Sequence, residues 1–574
     1  YRAVVAARIP GEEGRIREIV NTLEYISFNF GPTLLGWMEE EAPRTYRAIL
    51  EADALSRQAL GQGNAMAQAY HHAILPLASR RDKVTEVRWG VKDFRKRFHR
   101  DPAGMWLPET AVDDETLDVL AQEGIAFTVV APHQVDRLPE RGMPGLYRTG
   151  GGRTIALFVY DGPLSHDVAF GSLLNDGEAW ARRMARERPD PGADEQWGHR
   201  TDGSGPLRDP GGAGRSILRA HLPRRLICIA TDGETYGHHH RFGEMGLATA
   251  LNRLRADSGV RVENFASFLA HSPPVEEVGL VEPSSWSCSH GVGRWTRDCG
   301  CKMDPLKPSQ QVWRSGLREA MEWLARKIHQ VFATEGDHLP GDPWEARDAY
   351  AGVITGAEEL GDFLEARLGP GASDEERSRL ARLLELERDA LRLFTSCAWF
   401  FDDLSGIEPR QILRYADHAL ELLGQRKEEA EAGFLARLRM ASSNEDPSRD
   451  GATLFLEERE ARRLVRNWAP EDDSRSGRAL LQDSPEARLG LALEKAVQSL
   501  LDHCARRECE AETRSLSDLI HDVERLAYFL ARGRISIPFD AQTDFHRLWA
   551  DAPANLRDAI SPLRTPLGFV SDHD

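Results

Sequence analysis

The first half of the chain alternates between short strand-like runs and helical stretches, and this alternation limits the fold more than any other feature. Runs rich in β-branched or aromatic residues predict strands at residues 25–30, 85–91, 104–109, 126–132, 154–160 and 225–230. Between two of these runs, the stretch 113–124 predicts a helix, because Asp113 or Asp114 can cap its start and Gly124 suits its exit. Alternation of this kind predicts an α/β fold with a parallel sheet or barrel.

The chain changes character at about residue 310. Apolar residues then recur at helical spacing with charged residues on the opposite face, in the segments 311–332, 376–394 and 410–423. The pattern predicts a helical domain over residues 310–574 that follows an α/β domain over residues 1–309. Stretches rich in small and polar residues predict loops at residues 187–216, 442–451 and 470–477.

Charge, hydropathy and cysteine content exclude several classes of partner. The 574 residues carry a net charge of -18 without a long block of Lys and Arg, and nucleic-acid binding needs clustered positive charge. No apolar run reaches the roughly 18 to 20 residues that cross a bilayer, so no membrane partner is predicted. The seven cysteines, an odd number in a long chain, do not resemble a secreted disulfide framework and favour the cytoplasm.

Two carboxylates come directly after predicted strands. Glu109 ends the run GMWLPE, and Asp232 follows the run LICIA, with a turn at Gly233. Because the carboxyl ends of strands in an α/β barrel face the active site, both side chains can reach one cleft. Cleavage of a glycosidic bond needs such a pair: one group attacks the anomeric carbon or activates water, and the other protonates the leaving oxygen. The acid of the pair needs a raised pKa.

An ordinary structural role competes with this reading for each residue alone, because Asp and Glu often cap helices and form turns after strands. The stretch ATDGETYGHHHRFGEM also carries three consecutive histidines, at residues 238–240. Taken alone, these fit a surface turn as well as a site. The combination of carboxylates and imidazoles favours a site.

The motifs WLPE at residues 106–109 and TDGETYGHH at residues 231–239 resemble the third and fourth signature regions of glycoside hydrolase family 57. That family contains α-amylases, 4-α-glucanotransferases, branching enzymes and amylopullulanases. Further matching phrases run from about residue 26 to residue 416 and resemble a bacterial branch of the family in which a helical domain of unknown function follows the catalytic domain.

The resemblance implies an incomplete (β/α)7 barrel and a retaining mechanism on an α-glucan or maltooligosaccharide. Glu109 then resembles the nucleophile that forms the glycosyl-enzyme intermediate, and Asp232 resembles the general acid/base, with the two carboxyl groups about 5 to 5.5 Å apart. No cofactor and no catalytic metal are implied. The residues expected to contact the sugar in these two motifs are Trp106, Glu234, His238 and His239.

The chain departs from the family at its start. Members of the family begin with a strand that carries a His-Gln-Pro-like signature, and no such signature precedes residue 25. The chain also opens without an initiator Met. We therefore expect a fragment that lacks the first barrel strand.

The segment WSCSHGVGRWTRDCGC, at residues 286–301, allows two interpretations. Cys288, His290, Cys299 and Cys301 supply the four nitrogen and sulfur ligands of a closed zinc site, although C-x-C is tighter than the usual C-x-x-C. Alternatively the cysteines are small buried residues beneath a loop that faces the substrate. In that reading Trp295, with Arg294 and Asp298, contacts the sugar.

Three other groups are weaker candidates. Trp399 lies in the stretch TSCAWFFDDLSGIE. The family resemblance suggests that this stretch is a fifth signature region that closes over the cleft. An ordinary helix end with aromatic residues in the core is an equal alternative. Of His71 and His72, one is expected to be a core histidine and the other to reach the site. Tyr160 and Asp161 end a further predicted strand.

Two other functions remain open from the sequence. In the first, the chain is a metal-dependent enzyme of the polysaccharide deacetylase or α-mannosidase kind, with ligands Asp232, Glu234, His238 and His240. In the second, it is a non-catalytic glycan-binding scaffold whose helical half supplies the partner surface.

Overall fold

The computed structural model describes residues 1–11, 15–186 and 225–468. Contacts between Cα atoms divide the chain into two compact units. The first comprises Tyr1–Gly293 and Trp344–Leu360, and the second comprises Arg294–Pro343 and Gly361–Asp574. The division of the chain at residues 309 and 310 stays a prediction.

The strands of the first unit are short. They are β1 (Ala7–Pro10), β2 (Ile16–Val20), β3 (Ala67–Gln68), β4 (Met105–Trp106), β5 (Phe127–Val130), β6 (Gly145–Arg148) and β7 (Thr154–Val159). The hairpin of β1 and β2 is antiparallel, and β6 pairs antiparallel with β7. The remaining pairings are parallel.

The parallel pairings follow the order of the chain. β3 pairs with β4, and β5 pairs with β7. Single parallel bridges join Phe28 to Ala65 and Gly104 to Phe127, so each segment lies beside the next one along the chain. Because parallel strands point the same way, the loops after β3, β4 and β7 leave the same edge of this arrangement. The α/β prediction is confirmed for this part of the chain.

The helices of the first unit are α1 (Pro32–Glu41), α2 (Pro43–Leu60), α3 (Arg80–Phe98), α4 (Asp114–Gln122), α5 (Gly162–Ala169), α6 (Gly177–Arg186), α7 (Gly243–Ala256) and α8 (Phe265–His271), with α11 (Ala351–Ile354) returning from later in the chain. The helix predicted at 113–124 is confirmed as α4. The Asp113 carboxylate accepts the Thr116 N–H at 2.8 Å, and Gly124 ends the helix with a φ of 85°.

Helix α3 lies close to the parallel strands through a glycine. A Cβ atom on Gly90 would lie 2.0 Å from the carbonyl oxygen of Gln68. A glycine is therefore required for the backbone of α3 to approach β3 at this distance. Val87 and Phe94 on the same helix enter the core that also contains Leu107 and Leu157.

The second unit is helical in its described part. Its helices are α9 (Trp313–Gly336), α12 (Leu360–Leu368), α13 (Asp374–Arg392), α14 (Cys397–Phe400), α15 (Ile407–Leu422), α16 (Lys427–Leu438) and α17 (Gly451–Trp468). The short helix α10 (Pro343–Ala349) belongs to the first unit except for its first residue. The helical prediction for the three segments is confirmed, and residues 442–450 form a loop.

Helix α9, with 24 residues, is the longest helix in the described part of this unit. Leu317, Met321, Leu324 and Ile328 are fully buried and recur at the spacing of one helix face. This face packs against α13 and α16, and α15 packs against α13 and α17. The Ser373 hydroxyl and the Glu376 side chain form a reciprocal capping box at the start of α13.

Some predicted elements differ from the structure. The strand predicted at 85–91 is wrong, because these residues lie inside α3, where Val87 and Val91 share a buried face and the Ser79 hydroxyl caps the helix. In 25–30 only Phe28 forms a bridge, and 225–230 forms neither a strand nor a bridge. The loops predicted at 187–216 and 470–477 lie outside the described residues. Among those described, none of the helices combines the length and apolar character needed to cross a bilayer.

Candidate active site

Glu109 lies in the turn that follows β4, and the backbone of this turn is unusual. Its φ is 58° and that of Thr110 is 48°, both in the left-handed region that non-glycine residues seldom adopt. The buried Gln134 fixes this turn, since its Nε2 donates to the Thr110 carbonyl and its Oε1 accepts from the Thr110 hydroxyl, each at 2.8 Å. Strained residues that a rigid surrounding holds in place are frequent at active sites.

One carboxylate oxygen of Glu109 accepts two hydrogen bonds. The Ser287 hydroxyl donates to Oε2 at 2.6 Å, and the indole Nε1 of Trp286 donates to the same atom at 3.0 Å. The backbone N–H of Trp286 also donates to the Glu109 carbonyl at 3.0 Å. The two donors fix the plane in which the other oxygen, Oε1, lies.

Asp232 follows the segment 225–230. The Cys228 carbonyl of this segment accepts the N–H of Asp161, just after β7, at 2.7 Å. The Asp232 side chain is accessible to water, yet protein atoms crowd it. This crowding, and then the negative charges of Glu109 and Glu234, raise the pKa of Asp232 to about 6 from an ordinary value of 3.8. Glu109 and Asp232 therefore interact electrostatically.

Aromatic rings line the region next to the two carboxylates. The ring centroid of Trp286 lies 5.2 Å from that of Trp106 and 6.2 Å from that of Tyr160. Burial, and then the charge of Asp232, raise the pKa of Tyr160 to about 12. Trp106, Trp286 and Tyr160 are all half-buried, so part of each ring remains accessible.

The paired histidines divide as the sequence suggests. His71 is buried, and its Nδ1 lies 2.7 Å from Oε1 of Glu86, whose Oε2 accepts the His71 backbone N–H. His72 interacts with the charges of Glu109 and Glu234. Burial lowers the pKa of the His72 imidazole and outweighs these carboxylates, which act in the opposite direction. A neutral imidazole thus lies near Glu109.

Glu234 and the triple histidine form an exposed turn after Asp232. Oε1 of Glu234 accepts the Tyr1 hydroxyl at 2.7 Å. His238 and His239 are exposed with ring centroids 5.3 Å apart. The Nε2 of His240 lies 2.7 Å from the Ala169 carbonyl.

The metal site suggested for this turn, formed by Asp232, Glu234, His238 and His240, is not among the groups of clustered ligand atoms in the described residues. Part of its ligand set is also used elsewhere, since His240 lies against the backbone of α5 and Glu234 accepts from Tyr1. The structure therefore gives this metal-dependent alternative no support.

Trp295 and Trp399, both expected to contact sugar, are buried, each with 1% of its surface exposed. The indole N–H of Trp399 donates to the Arg314 carbonyl at 3.1 Å. Contact between either ring and a sugar would require the surrounding side chains to move.

Sequence reasoning missed the partners of Glu109. Trp286 and Ser287 lie in a segment in which the cysteines are the most noticeable sequence feature. No rule of sequence spacing connects these two residues with a carboxylate far earlier in the chain. Tyr1 was missed for the same reason. The one available signal was the Trp-Ser pair itself, placed just before a cysteine cluster.

Two family models match the chain. Glycosyl hydrolase family 57 matches residues 26–258, and the domain of unknown function DUF3536 matches residues 310–464. The first match covers Glu109 and Asp232, and the second covers most of the described helical unit.

Among curated proteins, the chain is similar to α-amylase 1 of Dictyoglomus thermophilum, with 27% identity over 18% of this chain and 15% of the amylase. It is also similar to the 4-α-glucanotransferase of Thermococcus litoralis, with 24% identity over 25% of this chain and 22% of that enzyme. The chain thus spans less than a quarter of either relative.

Among solved structures, the exo-type maltose-forming amylase of Pyrococcus sp. ST04 has a TM-score of 0.56 and 15% identity, with 96% of this chain and 85% of that one covered. At this identity the likeness concerns the fold alone.

Proposed function

We propose that this chain, whose residues 26–258 are a glycosyl hydrolase family 57 region, cleaves or transfers α-glucosidic bonds by a retaining mechanism in an incomplete (β/α)7 barrel. The observation that carries the proposal is a contrast between two carboxyl groups. One oxygen of Glu109 accepts two hydrogen bonds that hold the carboxylate in place, whereas the pKa of Asp232 is raised to about 6. Paired carboxyl groups whose environments differ in this way mark acid and nucleophile roles.

Glu109 is the proposed nucleophile. Because Ser287 and Trp286 both bind Oε2, the oxygen Oε1 is left to attack the anomeric carbon. A new bond forms between Oε1 and the anomeric carbon, and the bond between that carbon and the leaving oxygen breaks. Oε2 then becomes the carbonyl oxygen of a glycosyl ester and remains within reach of the same two donors.

Asp232 is the proposed general acid/base. Below pH 6 its carboxyl holds a proton that it gives to the leaving oxygen in the first step. In the second step Asp232 accepts a proton from water or from a sugar hydroxyl as that oxygen attacks the anomeric carbon. The bond between this carbon and Oε1 breaks, and the Glu109 carboxylate leaves. Once the ester forms, Glu109 is neutral, and one of the charges that raise the pKa of Asp232 disappears. This change favours the basic form at the step that needs it.

The proposed substrate is an α-glucan or a maltooligosaccharide. The partly exposed rings of Trp106, Trp286 and Tyr160 suit the apolar faces of pyranose rings. Glu234, His238 and His239 offer polar groups to sugar hydroxyls. The names of the similar curated proteins, an α-amylase and a 4-α-glucanotransferase, support the same class of substrate.

The test is product analysis with maltooligosaccharides. We expect shorter and longer oligosaccharides if transfer dominates, or shorter ones alone if hydrolysis dominates. Glu109→Gln should lower turnover by orders of magnitude while the circular dichroism spectrum is kept. Glu140→Gln, which removes the same charge at an exposed site, should leave turnover unchanged.

An unchanged rate in Glu109→Gln would refute the proposed nucleophile. A protein that binds maltooligosaccharides without turning them over under any condition would support the scaffold alternative instead.

A further inference from the structure

Four potential metal ligands lie together in one continuous stretch of the chain, residues 288–301. They are Cys288, His290, Cys299 and Cys301, and one ligand atom from each lies within 4.8 Å of all the others. In the described part of the chain, these four residues are the group of His, Cys, Asp or Glu side chains whose ligand atoms lie close enough together to hold a metal ion. Cys288 is buried, both later cysteines are half-buried, and His290 is exposed, so a metal ion can reach the group from water.

The backbone of this stretch turns sharply at both ends of the cluster. Gly300, between Cys299 and Cys301, has a φ of 79°, and its N–H donates to the Asp298 carboxylate at 3.0 Å. Gly291, just after His290, has a φ of 76°. A Cβ at Gly291 would lie 2.6 Å from the Pro283 carbonyl. Two glycine turns thus bring the ligands of C-x-H and C-x-C together despite the tight spacing.

The ligand set and its dimensions suit zinc. Three thiolates and one imidazole form a Cys3His set, which binds Zn²⁺ in tetrahedral geometry. With Zn–S bonds of about 2.3 Å, tetrahedral ligand atoms lie about 3.8 Å apart. The observed limit of 4.8 Å exceeds this by about 1 Å, which small side-chain rotations can close. Because four protein ligands fill the coordination sphere, such a site is structural.

A buried cation beside the cluster favours the same occupant. Arg314 is fully buried, and its Nη1 donates to the Cys301 carbonyl at 2.7 Å. The charge of Arg294 opposes that of Arg314, whereas Cys299, Asp402 and Cys301 favour it. Three thiolates with one Zn²⁺ carry a net charge of -1, and this charge would add to the stabilisation that Asp402 gives the buried guanidinium.

We propose that Cys288, His290, Cys299 and Cys301 bind one structural zinc ion, and that this ion holds the loop which supports Glu109. Cys288 directly follows Trp286 and Ser287, the two residues whose side chains donate to Glu109 Oε2. Fixing Cys288 therefore limits the movement of both donors. The zinc ion contacts neither substrate nor Glu109, and it acts through the positions of these residues.

The first test is the metal content of the full chain purified under reducing conditions without added chelator. We expect about one zinc per chain by plasma mass spectrometry. Cys299→Ser and Cys301→Ser should each lower the content at least tenfold, and His290→Ala, at an exposed position, should lower the affinity. Cys397→Ser, at an exposed cysteine elsewhere in the described chain, is the matched control and should keep its zinc.

The second test does not depend on variants. Replacing zinc with Co²⁺ in the unsubstituted chain should give intense thiolate-to-cobalt charge-transfer bands and the visible bands of tetrahedral cobalt. A chain that holds no zinc and gives no such bands would overturn the proposal, as would zinc retained in Cys299→Ser. A disulfide among these cysteines in the reduced preparation would also overturn it.

The effect on the active site has its own readout. Loss of zinc should lower kcat and the temperature of unfolding together, and restored zinc should recover both. If the zinc binds as expected but the chain turns over no glucan, the proposed function fails and the metal site stands. If turnover is normal but zinc is absent, the proposed metal site fails and the proposed function stands.

Discussion

The raised pKa of Asp232 leads to a prediction with a defined size for Glu234→Gln. The increase from 3.8 to about 6 is about 2 pH units, and Glu234 is the smallest of its three causes, after crowding and Glu109. Glu234 therefore accounts for at most a third of the increase, about 0.7 of a pH unit. Removing its charge should lower the pKa of Asp232 and move the alkaline limb of kcat/KM to lower pH by up to that amount.

The assay is the pH dependence of kcat/KM on a maltooligosaccharide at fixed ionic strength. This quantity reports the groups of the free enzyme, so weaker sugar binding by the variant lowers the whole profile without moving its limb. Glu140→Gln removes an equal charge at an exposed position and should leave the limb in place. A limb that stays unchanged in Glu234→Gln, moves to higher pH, or moves equally in the control would refute the electrostatic account of Asp232.

Three further predictions concern single residues. Because folding raises the pKa of Asp232, its ionisation destabilises the fold as pH rises from about 4 to 6. Asp232→Asn should therefore have a higher melting temperature than the unsubstituted chain at pH 7. Differential scanning fluorimetry should show a smaller difference between the two at pH 4. Ser287→Ala removes a hydrogen bond of about 1.5 kcal/mol that fixes the plane of the Glu109 carboxylate. The less well placed nucleophile should lower kcat by up to about tenfold in steady-state assays, and an unchanged or higher kcat would contradict the role of this bond. Gly90→Ala places a Cβ against the Gln68 carbonyl and should lower the free energy of unfolding by about 1–3 kcal/mol in urea, whereas Gly36→Ala, with ordinary contacts, should not.

The elements that the sequence predicts best are those with strong local signals. Helix α4 has an Asp cap, an apolar face and a terminal glycine, and it forms as expected. Helices α9, α13 and α15 of the second unit follow from long amphipathic patterns. In each case the signal and the structure it specifies lie within the same short stretch of chain.

The errors occur where tertiary context decides. Residues 85–91 contain β-branched and aromatic residues, but Val87 and Val91 also fit one helix face, and the cap at Ser79 starts a helix before them. The periods of strand and helix are hard to separate in short apolar runs. The small size of β3 and β4, two residues each, also left the strand boundaries poorly defined by sequence.

For the site, the sequence identified two carboxylates after strands, and the structure adds what surrounds them. Trp286 and Ser287 lie 177 and 178 residues from Glu109, and no local pattern encodes a contact over that separation. Trp295 shows the opposite problem, because an aromatic residue in a Gly- and Cys-rich loop fits substrate contact and core packing equally well from sequence. Only burial distinguishes the two.

The central claim, that Glu109 forms a covalent bond to the sugar, can be tested directly by trapping. A 5-fluoro-α-maltosyl fluoride forms the glycosyl ester quickly and releases it slowly, so the intermediate can be digested and its peptides analysed by mass spectrometry. The account predicts one glycosylated peptide, with the added mass on Glu109. The added mass on any other carboxylate, in a protein that turns over maltooligosaccharides, would contradict it.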